Sequence, residues 1–575
     1  MENWNCLLQD RAALFRKGSV IKMHPYERKM LEDTEKGYRA FCIHRCEDPE
    51  SVYYGGTLSE EDKLCTPKST LTQAGELIAL YLHPQSAYYR NKELYRRLEE
   101  AFVCLERLQR EDGTFDNPMA NFYAAANTAF LINRFLPSYR LAKKDSSPEM
   151  KLILQKADGI FYKAAGGIAC GGFHTPNHRW AIAGALMALY NLYGVEEWKN
   201  TAQKYLKEGI DLDSDGDFAE HSSGKYNVVN DLQMLVLYEE TGEDCYLSYM
   251  EANLDMMRYY LEPDGSIFTA TSTRLDAALH AYPDEYFFLY LYVGCKRRRK
   301  DFLAQAQSIM EGMIRRGAAC PMPNCLAYFM DCPELLEYTT SQPEEVFLTK
   351  PFTKYFSHSG VLRIRRAGYT ATLLEKNSFF LRFQHGRMAA FVRLGASYFK
   401  HREFRTSHIE EENGSFRMES TAHGWFYLPF DKDAGTTDWW QMDHSLRKQL
   451  EGRDLRFVLT VTPDDRGIDL HISVQGCDRV PIKVEFALPQ KAFLCNESFW
   501  LKGGEAQAVT VRNGSVTATI GEDGVRIGPA FASHLFTEGN DKSEPRDPHF
   551  TTLYFTDYTP VDRTVRIEAL TEDIL

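Results

Sequence analysis

Positive charge is in deficit in this 575-residue chain: 67 Lys and Arg stand against 80 Asp and Glu, a net charge of −13. Binding a phosphate backbone takes a basic face, so nucleic acid is excluded as the main partner. An anionic ligand is not excluded, because a cleft can be locally positive in an acidic protein. Long apolar runs are also missing; no stretch approaches the roughly 20 residues that cross a bilayer, and no membrane partner is expected. The start, Met1-Glu2-Asn3-Trp4-Asn5-Cys6-Leu7-Leu8-Gln9-Asp10, has neither a basic region nor an apolar run. A secretory signal is therefore not expected, and the expected location is the cytoplasm. The 13 cysteines are scattered singly with no CxxC pair, which fits reduced thiols better than a disulfide framework. No Cys/His cluster has zinc spacing, and no phosphate loop or dinucleotide-binding glycine fingerprint occurs, so no metal and no cofactor is expected.

What is present fits a large soluble protein. Hydrophobic residues make up 44%, and the length calls for two or three cores. The first half carries helical apolar spacing over Thr72–Leu82, Glu93–Arg110, Ala120–Phe135, Pro148–Ala164, His178–Tyr193, Glu196–Gly209, Val228–Glu240, Asp244–Leu261, Leu275–Val293 and Asp301–Arg315. The loops echo one another: Asp112-Gly113-Thr114-Phe115, Asp215-Gly216-Asp217-Phe218 and Asp264-Gly265-Ser266-Ile267, with a degenerate fourth in Gly166–Phe173. Asp-Gly supplies a turn with positive φ. A period of about 50 residues, or a small multiple of it, matches one helical hairpin per repeat. The spacing predicts an (α/α) toroid over 71–340, with a stacked solenoid as the alternative and 1–70 wrapping around it.

After about Thr340 the texture changes. Apolar and polar residues alternate over Val361–Arg365, Tyr369–Leu374, Phe379–Phe383, Ala389–Leu394, Phe457–Thr462, Ile468–Val474 and Ile482–Phe486. Asn513-Gly514 between Val509–Val511 and Val516–Ile520 predicts a two-residue hairpin, and Glu522-Asp523-Gly524 the next turn. An antiparallel β-sandwich is expected over 355–575, joined through the linker Ser341–Lys354.

The stretch Asp215-Gly216-Asp217-Phe218-Ala219-Glu220-His221-Ser222-Ser223-Gly224-Lys225-Tyr226-Asn227 places a histidine and a tyrosine between two helical segments. Asn177-His178-Arg179-Trp180 lies one hairpin upstream and Arg274 one hairpin downstream. Amides and cations neutralise a carboxylate, and His and Tyr transfer protons. Such a set suits proton abstraction beside a carboxylate. Each residue also has a plainer reading. Asn177 fits a helix cap, Tyr226 a packed helix start, the histidines structural positions, and Arg274 a salt bridge with Asp276. Asp211 to Asp217 has the spacing that opens a calcium loop, but its twelfth position is Ser222, so a hairpin turn is expected.

This stretch resembles the Asp-Gly-Ser-Phe…Ser…Tyr-His segment of heparinase II/III-type and alginate lyases. It also resembles the Asp-Gly-Ser…His…Tyr segment of hyaluronate and chondroitin lyases. Asn177 matches the upstream asparagine of both groups, and Arg274 the downstream arginine of the second. The chain departs from the pattern where Lys225 precedes Tyr226 and Asn227 follows it. The resemblance implies an (α/α) toroid followed by antiparallel sheets, and cleavage of a uronate-containing glycan by β-elimination. It implies that Tyr226 moves the proton, that Asn177 and Arg274 neutralise the carboxylate, and that His221 or His178 is the base or a ligand. Candidate substrate contacts are Arg179, Trp180 and Glu220, with His385 and the pair Trp439-Trp440 from the β region. The expected partner is an anionic poly- or oligosaccharide. A glycoside hydrolase using Asp215, Asp217, Glu220 or Asp276 is the second reading, and a non-catalytic carbohydrate-binding protein the third.

Overall fold

The computed structural model describes residues 23–322, 324–337, 350–399, 401–431, 433–538 and 543–570. The N-terminal stretch 1–10 and most of the expected linker, 341–349, lie outside the described residues. Contacts divide the chain into two units. One is Met1–Met257 with Thr269–Val346, the other Arg258–Phe268 with Phe347–Leu575.

The first unit is helical: α1 (Pro25–His44), α2 (Pro67–Leu82), α3 (Lys92–Leu108), α4 (Ala125–Lys143), α5 (Pro148–Cys170), α6 (Pro176–Tyr193), α7 (Glu196–Leu206), α8 (Tyr226–Thr241), α9 (Asp244–Tyr260), α10 (Phe287–Arg297), α11 (Lys300–Arg316), α12 (Cys325–Asp331) and α13 (Glu334–Glu337). Proline opens α1, α2 and α5, where the side chains of His24, Thr66 and Ser147 accept first-turn amides. Proline has no amide to orphan there, and the caps satisfy the next ones. Inner helices α2, α4, α6 and α8 pack side by side, and outer helices alternate with them. Burial separates the two sets. Helix α6 is buried almost all round from Asn177 to Leu189, whereas α7 buries only Trp198 and Ala202. A helix enclosed by neighbours is apolar all round, and one facing solvent is amphipathic. This is the expected toroid.

The Asp-Gly turns form as read: Gly113, Gly216 and Gly265 have φ of 90°, 85° and 80°. A Cβ on Gly216 would also stand 2.5 Å from the Ala252 carbonyl oxygen. Gly166–Phe173 is a correction. Helix α5 continues through Gly166 and Gly167 to Cys170, and Gly167 serves close packing, since a Cβ there would meet the Asp112 carbonyl oxygen at 2.6 Å. The helix read over 120–135 begins only at Ala125, because Tyr123 adopts φ 50°. The one read over 275–293 begins after a 3-10 turn at Pro283–Tyr286.

The second unit holds two nine-stranded sheets. One runs as an antiparallel meander from Phe352–Phe356 to Met388–Tyr398, adds Pro481–Pro489 and Phe550–Tyr558, and ends on the parallel strand Ala508–Thr510. The other passes from Phe499–Lys502 through Val516–Ile520, Asp523–Gly528, Val561–Leu570, Gly467–Gln475 and Gln449–Pro463 to Ile409–Glu412. Their inner faces share one core, with Ile364, Phe383 and Phe486 from the first sheet and Leu459, Leu470 and Ile567 from the second. The Asn513-Gly514 hairpin does not form. The strands on either side of that turn belong to different sheets, and Asn496 Nδ2 donates to the carbonyls of Asn513 and Ser515. The segment Arg258–Phe268 contributes Glu262, fully buried between Arg363 at 3.2 Å and Arg382 at 3.3 Å, with Thr370 Oγ1 donating at 2.8 Å.

Candidate active site

The starts of α6 and α8, with the loop before α8 and the loop 272–276, bring Asn177, Glu220, Tyr226 and Arg274 into one cluster of the helical unit. Asn177 is the second residue of α6, and Thr175, not Asn177, occupies the cap position. The Thr175 hydroxyl donates to Asn177 Oδ1 at 2.6 Å. That aims the amide NH2 outward, where it reaches Glu220 Oε2 at 3.4 Å. Arg274 Nε lies 3.5 Å from Glu220 Oε1, so Glu220, and not Asp276, is its ion-pair partner. The Arg274 guanidinium carbon also sits 4.4 Å from the centroid of the Tyr226 ring. Arg274 is held above its ordinary value, chiefly by Tyr226, with Glu220 adding and burial opposing. Tyr226 opens α8, and its amide donates to Ser222 Oγ at 3.0 Å.

The acidic residues of this loop are mostly spoken for. Asp276 accepts the Ser222 and Ser272 hydroxyls at 2.6 Å each and the Gly224 amide at 2.9 Å. Asp217, 1% exposed, holds His221 Nδ1 at 2.8 Å with one oxygen and accepts Asn227 Nδ2 at 2.9 Å with the other. Asp213 accepts the amides of Asp215 and Asp217, as a turn carboxylate does. Among the described residues the Glu220 side chain has two loose contacts, and burial raises its pKa, with Asp211 and Asp276 adding and Arg274 and Asn177 opposing.

The two histidines are driven in opposite directions. His221, in a left-handed conformation at φ 48°, is raised by its hydrogen bond to Asp217 against the effect of burial. His178 is lowered by burial, then by His174 and Arg274, and its buried Nδ1 has no hydrogen-bond partner among the described residues.

The other expected contacts are placed elsewhere. Arg179 is buried, paired with Glu208, and donates to the Gly209 carbonyl at 2.8 Å. Trp180 is 0% exposed against Phe218 and has no face for a sugar. Both are therefore corrections, since the inner helix α6 turns them into the packing. In the β unit, His385 Nδ1 faces the Gly368 carbonyl. Trp439 and Trp440 lie on the loop 428–448 at 55% and 90% exposure, with the Trp439 ring 4.1 Å from His444.

A pocket that the sequence hid adjoins the cluster. Phe122, Tyr123, Ala125, Phe173 and His174 line it, and the His174 ring is 6.0 Å from His178. Phe122 and Tyr123 are exposed aromatics of the kind that stack on sugar rings. Reading 120–135 as continuous helix concealed them; adjacent aromatics after an Asp-Gly turn were the available signal.

No family model matches the chain, and no curated protein matches it in sequence. Solved structures do. The chondroitin AC lyase of Streptomyces coelicolor A3, in complex with chondroitin sulphate, aligns over 97% of this chain and 81% of its own at 13% identity, TM-score 0.52. A Paenibacillus xanthan lyase aligns over 100% and 60% at 8% identity, TM-score 0.54. This chain shares their fold. The α-toroid followed by antiparallel sheets is thus the architecture of known polysaccharide lyases, and 60% of the xanthan lyase's length is spanned.

Proposed function

We propose that the protein is a lyase that cleaves a uronate-containing glycan by β-elimination. The observation that carries this is the arrangement of Asn177, Arg274 and Tyr226 around one carboxylate. Glu220 sits between an amide and a guanidinium as a uronate carboxylate would, with the Tyr226 ring against the same guanidinium. Neutralising the substrate carboxylate acidifies the proton on C5. As phenolate, Tyr226 takes that proton. The C5 electron pair forms the C4=C5 double bond, the C4–O bond breaks, and Tyr226, now a phenol, returns the proton to the leaving oxygen. His221, biased toward imidazolium by Asp217, adds positive charge near the developing enolate, and the neutral-biased His178 is the substrate ligand. The fold shared with the chondroitin AC lyase and the xanthan lyase supports the reading.

Hydrolysis needs two available carboxyl groups, and Asp217 and Asp276 are already saturated. One observation favours the hydrolase reading: burial raises both Asp211 and Glu220, and Asp211 adds to the rise of Glu220. A panel of uronate polymers separates the two. A lyase creates an unsaturated uronyl end that absorbs in the ultraviolet, and Tyr226→Phe abolishes that signal. Full activity in Tyr226→Phe, or reducing ends without new absorbance, refutes the proposal.

A further inference from the structure

Tyr226 opens α8 and Arg274 stands on the loop 272–276, and one buried carboxylate connects the backbones of both. Asp276 Oδ1 accepts the hydroxyls of Ser222 and Ser272 at 2.6 Å each, and Oδ2 accepts the Gly224 amide at 2.9 Å. Each serine passes the contact on. Ser222 Oγ accepts the Tyr226 amide at 3.0 Å, and Ser272 Oγ accepts the Arg274 amide at 3.1 Å. Ser222, Ser272 and Asp276 are all buried, so a lost partner leaves a polar group unpaired away from water. Thr273 clasps the same two loops, its amide and hydroxyl donating to the Glu220 carbonyl at 3.2 and 2.8 Å.

The relay has a direction. A carboxylate only accepts, so each serine hydroxyl points its single proton at Asp276, which leaves its lone pairs for the amide of Tyr226 or Arg274. A hydroxyl that donates to a charged group is also polarised into a better acceptor. There is little slack: a Cβ on Gly224 would stand 2.8 Å from Asp276 Oδ2. Asparagine cannot replace Asp276. With its oxygen toward the serines, its NH2 faces the Gly224 amide, donor against donor. With its NH2 toward the serines, both hydroxyl protons lose their acceptor.

We propose that Asp276 is a positioning residue that sets the Tyr226 ring and the Arg274 guanidinium against each other through Ser222 and Ser272. The 4.4 Å contact between that guanidinium and the ring is the product of the relay, and through it the proton-transfer group and the carboxylate clamp meet the same sugar. The roles of Tyr226 and Arg274 rest on the lyase reading above; the relay itself does not.

Variants of the full chain separate the two arms. Ser222→Ala frees the Tyr226 backbone and should lower kcat about tenfold with KM unchanged, the effect of one hydrogen bond. Ser272→Ala frees Arg274, which holds the carboxylate before and during the reaction, and should raise KM about tenfold. Asp276→Asn should lower kcat/KM about 100-fold, as an ångström of misplacement does. Because both serines act through Asp276, adding either alanine to Asp276→Asn should cost little more, whereas independent contacts would multiply. Should Asp276→Asn fail to fold, the serine variants carry the test. A crystal structure of Ser272→Ala should show the Arg274 guanidinium moved off the Tyr226 ring. An unmoved guanidinium overturns the relay. Movement with wild-type kcat and KM in both serine variants overturns the positioning role. Movement in a protein that cleaves no uronate polymer supports the relay while the cleavage reading falls.

Discussion

Asp217→Asn tests the electrostatics of the site at the residue where geometry is tightest. The carboxylate is buried, with His221 Nδ1 2.8 Å from one oxygen and Asn227 Nδ2 2.9 Å from the other. Asparagine is isosteric and keeps an oxygen for Asn227. Toward His221 it offers an amide that can only donate, so a charge-assisted bond is lost. Such bonds contribute about 1.5–3 kcal/mol and neutral ones about 0.5–1.5 kcal/mol. The difference, about 1–2 kcal/mol, corresponds to roughly one pKa unit. His221 should therefore titrate about one unit lower in the variant, and its neutral form should carry the proton on Nε2 instead of Nδ1. The sign for stability follows. The folded His221 pKa lies above its ordinary 6.5, so its contribution is fully present below pH 6.5 and is lost as pH rises through the folded value. The variant should lose most stability on the acid side of 6.5 and less well above it. An imidazole NMR titration gives the pKa and tautomer, and urea unfolding on both sides of 6.5 gives the stability difference. A wild-type His221 titrating at or below 6.5, or the same value in both proteins, refutes the reasoning.

Arg274→Ala should lower kcat/KM by about 10²–10³, the loss typical of one donor to a developing oxyanion. Arg274→Lys should recover little, because an ammonium cannot both span the Glu220 position and lie flat on the Tyr226 ring; near-wild-type kinetics in either would remove Arg274 from the mechanism. Glu220→Gln should lower KM for a uronate glycan, since it removes the charge that competes for Asn177 and Arg274; complete inactivation would favour the hydrolase reading. In the β unit, burial alone would raise Glu262, but Arg363 and Arg382 hold it down to about 2. Its stabilisation is present above its ordinary 4.5 and is lost as pH falls through about 2. Glu262→Gln should cost about 3–5 kcal/mol at neutral pH by leaving buried guanidinium charge unpaired. Denaturant unfolding should show the penalty shrinking as pH falls below 4.5, and a pH-independent difference would contradict the ion-pair origin.

The order of the candidate residues was legible in the sequence because the fold is repetitive. A hairpin period of about 50 residues sets successive inner-helix starts side by side. Asn177 at the start of α6 thus meets Glu220 before α8, and Ser222 meets Asp276 one hairpin on. Periodicity could predict that these segments are neighbours, but not which atoms meet. Arg274 pairs with Glu220 because Asp276 is already saturated by two hydroxyls and an amide, a competition that spacing does not encode. The same limit explains the errors. Ala120–Ala124 has helical composition, yet Tyr123 turns left-handed and the helix waits until Ala125. Asn513-Gly514 has hairpin chemistry, yet its flanking strands find longer partners in different sheets. Arg179 and Trp180 stand beside Asn177 in sequence, but successive positions on an enclosed helix point to different neighbours, and only Asn177 meets the cluster. Local pattern fixed where helices and turns stand, and the identity of the site rests on which polar groups remain unsatisfied once those elements have packed. By that criterion Glu220, with two loose contacts among the described residues, marks the proposed site better than any motif does.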